Sequence, residues 1–302
     1  MYPGTTLTDA LDEWQLTMRS LNRSPETIRT YSAAVLQLDA FASSLLPDVT
    51  ATMTVDNITS AIIRSYLSAV LELKTAATAV TRWGGLLAFF KWATAGGFCD
   101  PDPMLGVSRP SKPELAVDIL TDEQIRALLN VCRGSSFDAL RDTAIIRMYL
   151  TTGMRLSECA TITLDRINTN TQVVRIMGKG SREREVHLVD STALAVKRYD
   201  RARKQHPKHD TPMLWIGKFG ALSVAGIKQM IQRRGKEAGV PVHAHLFRHH
   251  FAHKWLAAGG TEGGLMGTAG WRSRAMLDRY GRSAAAERSR SEHARLNVAG
   301  EF

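Results

Sequence analysis

Apolar residues recur at three- and four-residue intervals through four successive stretches, roughly Leu7 to Leu21, Pro25 to Leu45, Thr59 to Leu73 and Ala76 to Ala95. That is the period of an amphipathic helix with one face in a core. Ser24-Pro25-Glu26 supplies a cap and a first-turn proline for the second stretch, and Gly96-Gly97 closes the fourth. The pattern predicts a small all-helical domain over residues 1–100. Pro101, Pro103, Pro110 and Pro113 follow, and proline interrupts both helix and ladder hydrogen bonding, so residues 101–113 are expected to form an extended linker.

Beyond the linker, Thr121-Asp122-Glu123-Gln124 has capping-box spacing and starts a helix. A second helix is expected from about Phe137 to Gly153, followed by a short β element. The period then changes to two in Thr171 to Met177 and Glu183 to Val189, which flank Gly178-Lys179-Gly180-Ser181-Arg182. This predicts a hairpin with a lysine near its tip. Helical periodicity resumes near Ser191 to Lys204, Val224 to Ala238, Leu246 to Ala258, Glu262 to Thr268, Ser273 to Tyr280 and Ala284 to Leu296. The expected fold class is mostly α with a small antiparallel β-sheet, and residues 114–302 form its mixed α+β part.

Composition narrows the function. The chain has 302 residues, 44% hydrophobic and 23% charged, which disfavours disorder or a fibrous repeat and suffices for two cores. Lys and Arg number 39 against 29 Asp and Glu, a net charge of +10. Up to Lys112 there are 9 basic and 10 acidic residues, and beyond it 30 basic and 19 acidic, so the excess belongs to the second part. A polyanion, nucleic acid first, is the expected partner. Cys99, Cys132 and Cys159 are odd in number and far apart, which argues against a disulfide framework or a cysteine-based zinc site and fits a reducing cytoplasm. No stretch approaches 18 consecutive apolar residues, and the first residues lack the basic start and apolar run of a signal peptide, so neither secretion nor a membrane is expected.

Four places combine polar groups that folding alone does not require. In Thr152-Gly153-Met154-Arg155-Leu156-Ser157-Glu158 an arginine lies just beyond a helix-ending glycine, with a glutamate three residues on. Glu158 suits either a brace for the site or a charge on a solvated helix face. Lys179 sits between glycines that would allow close approach of a ligand, although an exposed turn lysine would look the same. His245 and Arg248, three residues apart on one helical face, can offer a proton-transfer group and a planar cation to one phosphate; a core histidine beside a surface arginine is the plainer alternative. Gly270-Trp271-Arg272-Ser273 is followed, nine residues after the tryptophan, by Tyr280. In the helical domain Arg19, Arg23, Arg29, Arg64, Lys74, Arg82 and Lys91 suit either a DNA-facing surface or an ordinary solvated one.

In this order the four places resemble the tyrosine recombinase family, the phage integrases and Xer-type site-specific DNA recombinases. The family runs from an arginine in a Gly-x-Arg-x-x-Glu context through a hairpin lysine, a His-x-x-Arg pair and a His or Trp after Gly to a tyrosine nine residues later. The matching positions here are Arg155, Lys179, His245, Arg248, Trp271 and Tyr280. The resemblance implies a core-binding, SAM-like DNA-binding domain over 1–100 and a catalytic domain over 114–302. It implies cleavage and rejoining of double-stranded DNA at specific sites through a 3′-phosphotyrosine on Tyr280, which alone of the six tyrosines follows the Gly-Trp element.

In that reading Arg155 and Arg248 grip the phosphate, Trp271 donates a third hydrogen bond, His245 moves the phenol proton and Lys179 protonates the departing 5′ oxygen. No metal, nucleotide or other cofactor is expected, because one phosphodiester replaces another. A homotetramer on DNA is expected, with a tail over 283–302 that docks on a neighbouring subunit or packs on its own domain. The family also allows for an accessory factor.

Two positions depart from the common pattern. Trp271 stands where most members carry histidine, and its indole donates a hydrogen bond but transfers no proton, which leaves acid–base work to His245. Phe247 stands where leucine is usual. The first helix begins near Leu7, which leaves no room for an N-terminal arm-binding domain, so the chain is expected to be a two-domain phage or mobile-element integrase. A Xer-type dimer resolvase is the alternative. A type IB topoisomerase-like enzyme, a non-catalytic DNA-binding relative and a metal-dependent hydrolase built on His245, His249 and His253 are more distant readings.

Overall fold

The structure is a computed structural model that describes residues 2, 4–46, 52–112, 118–178, 182–274, 276–277, 289–290 and 293–296. The chain divides into two compact units, residues 1–115 and 116–302.

The first unit contains α1 (Leu7–Ser20), α2 (Pro25–Ser43), α3 (Ser60–Leu73) and α4 (Ala76–Ala95). Each begins at a hydroxyl cap: Thr6, Ser24, Thr59 and Thr75 accept from the backbone N–H groups of Asp9, Thr27, Ile62 and Thr78. These caps satisfy donors that the first helical turn leaves without partners. The helices meet over an aromatic core in which Trp14 stacks on Tyr31 at 5.9 Å and meets Phe89 edge-on at 5.3 Å. Burying each such ring contributes about 1.5–3 kcal/mol. The first half of the proline-rich stretch belongs to this core: Met104 and Val107 are buried in it, and the Trp83 indole donates to the Val107 carbonyl at 3.0 Å. Proline removes ladder and helix bonds but leaves an extended chain free to bury its apolar neighbours. Among the basic side chains of this unit, Arg82 donates to Gln37 at 2.8 Å and Arg29 pairs with Glu26 at 2.8 Å.

The second unit runs α5 (Asp122–Asn130), α6 (Phe137–Thr152), α7 (Leu156–Ala160), β1 (Ile167–Asn168), β2 (Val173–Met177), β3 (Glu183–His187), α8 (Asp190–Arg203), β4 (Ile216–Gly217), β5 (Gly220–Ala221), α9 (Val224–Glu237), α10 (Ala244–Ala257) and α11 (Glu262–Ala269). The architecture is mostly helical with small antiparallel sheets, as the sequence pattern predicts. β1, β2 and β3 form one meander, with Val174 opposite Val186 and Ile176 opposite Arg184. α6 is the central helix: Ile145, Ile146, Met148 and Tyr149 are buried in a core shared with Val196, Tyr199, Trp215 and Phe247. Asp142 on α6 is fully buried and accepts from Arg141 at 2.9 Å and 2.7 Å, from Arg233 at 3.1 Å and from Arg234 at 2.9 Å. A carboxylate without water is tolerable only with such partners, and this one ties α9 to α6.

Two local elements are additional to those the sequence pattern predicts. The segment directly after Gly153 forms the short helix α7, because Glu158 reaches back to the Arg155 backbone N–H at 2.9 Å and closes a helical turn. The two-residue pair β4 and β5 was not anticipated, since elements this short carry no periodicity. The helices expected near Ser273 to Tyr280 and Ala284 to Leu296, and the tail over 283–302, lie largely outside the described residues. Among the described residues no helix is long and apolar enough to cross a membrane.

Candidate active site

Arg155, Arg248 and Trp271 are brought together by two glycine-ended helices. Gly153 terminates α6 with φ 56°, a backbone that L side chains rarely adopt, and a Cβ there would run into the Phe251 ring. The chain turns sharply through buried Met154 and presents Arg155 as the residue just before α7. Gly270 ends α11 in the same left-handed way with φ 64°, and a Cβ there would sit 3.0 Å from an Arg184 nitrogen. Trp271 follows immediately.

The last carbonyls of a helix lack intrahelical donors and carry partial negative charge. At the end of α11, three successive carbonyls are each taken by a different arginine. Arg184 donates to Thr268 at 2.8 Å, Arg248 to Ala269 at 2.7 Å and Arg155 to Gly270 at 3.1 Å. Arg248 also donates to the Gly153 carbonyl at 2.6 Å, so it ties the two glycine turns together, and its Cζ lies 5.2 Å from the Trp271 ring centroid. Arg248 is only 1% exposed, whereas the Arg155 side chain is 40% exposed. Arg155 is therefore the guanidinium at the surface, with Arg248 behind it.

Glu158 is buried between two of these cations and is not a solvated surface charge. Its Oε1 accepts from Arg155 at 2.7 Å and its Oε2 from Arg184 at 2.7 Å. Burial alone would push its carboxyl up, but the hydrogen bonds from Arg184 and the Arg155 backbone, joined by both positive charges, reverse the sign and hold Glu158 below the usual carboxylate range. Three guanidinium groups against one carboxylate leave an excess of positive charge fixed by the fold. Such a cluster is suited to receive a phosphate and to stabilise charge that builds on it.

His245 lies in the first turn of α10 and is exposed, with its ring edge-on to buried His249 at a centroid distance of 4.6 Å. Phe247, one residue before Arg248, is fully buried and stacks on Tyr149 at 5.6 Å. His250 faces away from this group: its Nδ1 lies 2.9 Å from the Leu120 carbonyl, and burial pushes its pKa below the usual range. Among the described residues no group of three or more His, Cys, Asp or Glu is placed to hold a metal ion.

Lys179 and Tyr280 lie outside the described residues. The strands that flank Lys179 are β2 and β3, and the chain leading to Tyr280 is described as far as buried Leu277. Three other tyrosines make poor phenolates, because burial pushes the hydroxyls of Tyr66 and Tyr149 up and that of Tyr199 to about 12.

Arg184 is the site residue that motif spacing did not pick out. A signal for it exists: Arg184 and Val186 share one face of β3, and Val186 is buried, so the period of two puts a charge on an inward-facing position.

The profile described as the Phage integrase family matches residues 118–287, more than half of the chain. The chain is 27% identical over 248 residues to tyrosine recombinase XerC of Chromobacterium violaceum, covering 79% of this chain and 78% of that protein. It is 30% identical over 209 residues to tyrosine recombinase XerD of Halalkalibacterium halodurans, covering 67% of this chain and 70% of the relative. Its fold is similar to that of the Tn1549 transposon integrase in complex with transposon right end DNA, with TM-score 0.74, 17% identity and coverage of 97% and 99%. A lambda integrase tetramer bound to a Holliday junction gives TM-score 0.70, 16% identity and coverage of 89% and 78%.

Proposed function

Because this chain belongs to the phage integrase family of tyrosine recombinases, site-specific enzymes that cut and rejoin DNA strands, we propose that Tyr280 is its nucleophile and that Arg155, Lys179, His245, Arg248 and Trp271 serve it. The observation that carries this reading is the convergence of Arg155, Arg248 and Trp271 on the end of α11.

The phenol oxygen of Tyr280 attacks the phosphorus, the bond to the 5′ oxygen breaks, and a 3′-phosphotyrosine link forms. A phenol of pKa about 10 costs roughly 4 kcal/mol to ionise at pH 7. The positive cluster offsets part of this by stabilising both phenolate and transition state. His245 takes the phenol proton, which leaves the exposed first turn of α10 as its exit to solvent. Lys179 delivers a proton to the 5′ oxygen. Attack by a second 5′ hydroxyl reverses the steps, so the exchange is close to neutral in energy and no cofactor is called on.

The substrate is double-stranded DNA, bound by the basic second unit and by the basic side chains of the helical unit, and the working assembly is a homotetramer. Similarity in fold to integrases in DNA-bound and tetrameric form supports this. Integration of a phage or mobile element is the reading taken for the biological role. Dimer resolution is the second reading, favoured by the XerC and XerD relatives. Covalent capture on sheared genomic DNA, with strand exchange between two duplexes carrying the captured site, tests both. Capture by wild type and not by Tyr280→Phe is expected, and the captured sequences, element ends or a chromosomal dimer site, decide the role.

A further inference from the structure

We propose that Arg184 is a positioning residue for strand cleavage: it fastens the hairpin that carries Lys179 to the glutamate that holds Arg155 and to the helix end that presents Trp271. The inference rests on the proposed nucleophilic reaction but concerns a residue outside its six groups.

Arg184 lies on β3, opposite Ile176 of β2, five residues beyond Lys179. Its side chain is 12% exposed. One guanidinium makes three connections to two other elements: to Glu158 Oε2 at 2.7 Å, to Glu158 Oε1 at 3.3 Å and to the Thr268 carbonyl at 2.8 Å. Glu158 in turn holds Arg155 by both its backbone N–H, at 2.9 Å, and its side chain, at 2.7 Å. The orientation of Arg155 is therefore set through a carboxylate that Arg184 holds by both oxygens. Gly270 is part of the same arrangement, since a Cβ there would come within 3.0 Å of the Arg184 guanidinium and press it out of its place.

The planar fork of arginine is needed for this geometry. A lysine at the same position keeps the charge but cannot reach both carboxylate oxygens and the carbonyl in fixed directions. Loss of Arg184 frees three parts that must act on one phosphate, and misplacement of a reacting group by about 1 Å is enough to slow chemistry on the order of 100-fold. DNA affinity, which comes from many phosphate contacts, is expected to change little.

The test uses the full chain and a duplex that carries the site recovered by covalent capture from sheared genomic DNA, nicked so that the released strand diffuses away. Duplex affinity and the single-turnover rate of covalent complex formation are measured for wild type, Arg184→Met and Arg184→Lys, with thermal unfolding as a control. Expected is unchanged affinity within about threefold, with cleavage about 100-fold slower in Arg184→Met and a partial recovery in Arg184→Lys. Wild-type cleavage rates in a folded Arg184→Met, or rate and affinity falling together in proportion to folded protein, overturn the inference. Should Arg184→Met not fold, Arg184→Lys decides: slower cleavage at intact affinity supports the role, and wild-type behaviour overturns it. A wild type that forms no covalent complex instead defeats the recombinase chemistry on which the role depends, and the role falls with it.

Discussion

Trp271 lies over Arg248, with the guanidinium carbon 5.2 Å from the indole centroid. A cation against an aromatic face gains about 0.5–2 kcal/mol, most where water is excluded, and here both partners are buried. Trp271 also packs in a small cluster with Phe251, Leu256, Leu265 and Leu277, the last described residue before Tyr280. Trp271→Phe keeps an aromatic face over the cation and most of the packing but removes the indole N–H. The expected outcome is a folded protein that cleaves on the order of 10–100-fold more slowly, whereas Trp271→Ala also loses about 3–5 kcal/mol of stability. Cleavage rates and denaturant unfolding curves on both variants check this.

Arg248 serves structure and chemistry through the same atoms, since it satisfies the Gly153 and Ala269 carbonyls. Arg248→Ala leaves two buried acceptors without donors, each worth about 1–3 kcal/mol, and is expected to lower stability by about 3 kcal/mol or more. Arg248→Lys, which cannot span both carbonyls, is expected to retain more of the fold but to lose cleavage by on the order of 100- to 1000-fold. Equal loss of stability and activity in both variants would assign Arg248 a purely structural role.

The pairing of Glu158 predicts a pH signature. A carboxyl held below its unfolded value contributes stability that is present above that value and disappears as pH falls through the folded one. The wild type should therefore lose stability relative to Glu158→Gln as the pH falls below the ordinary carboxylate range. Melting temperatures of both proteins across this range give the difference, which shrinks towards acid if the pair acts as described.

All three cysteines are buried, and burial pushes the thiols of Cys132 and Cys159 to about 11 and about 12. At pH 8 a thiol reagent is expected to modify them only at the rate of unfolding, as mass spectrometry of timed samples would show. Rapid modification of the native protein would contradict the burial.

The helical elements were legible because their signals are local. Thr6, Ser24, Thr59, Thr75 and Thr121 each cap the helix that begins beside them, and the strands on either side of Lys179 follow from alternation. What was not legible depends on distant partners. α7 exists because Glu158 closes its first turn and is clamped by Arg184, 26 residues away. The buried group around Asp142 joins α6 to Arg233 and Arg234, 91 and 92 residues on. The six candidate groups were picked out by their order along the chain, but only the structure shows that three arginines take the last carbonyls of α11, one of which no motif marks. The proline-rich stretch misled for a related reason, since burial of Met104 and Val107 is decided by the helical core beneath them.

The central claim is that Tyr280 forms the covalent link to DNA. The most direct measurement is peptide mapping of the trapped complex: nuclease treatment, tryptic digestion and mass spectrometry. Trypsin cuts after Arg279 and after Arg282 and releases the short peptide Tyr280-Gly281-Arg282, so the adduct falls on a fragment that contains no other nucleophilic side chain. Nucleotide mass on that peptide, formed in chelator and absent from Tyr280→Phe, is the predicted result. An adduct on any other peptide, or a complex that persists in Tyr280→Phe, would contradict the account.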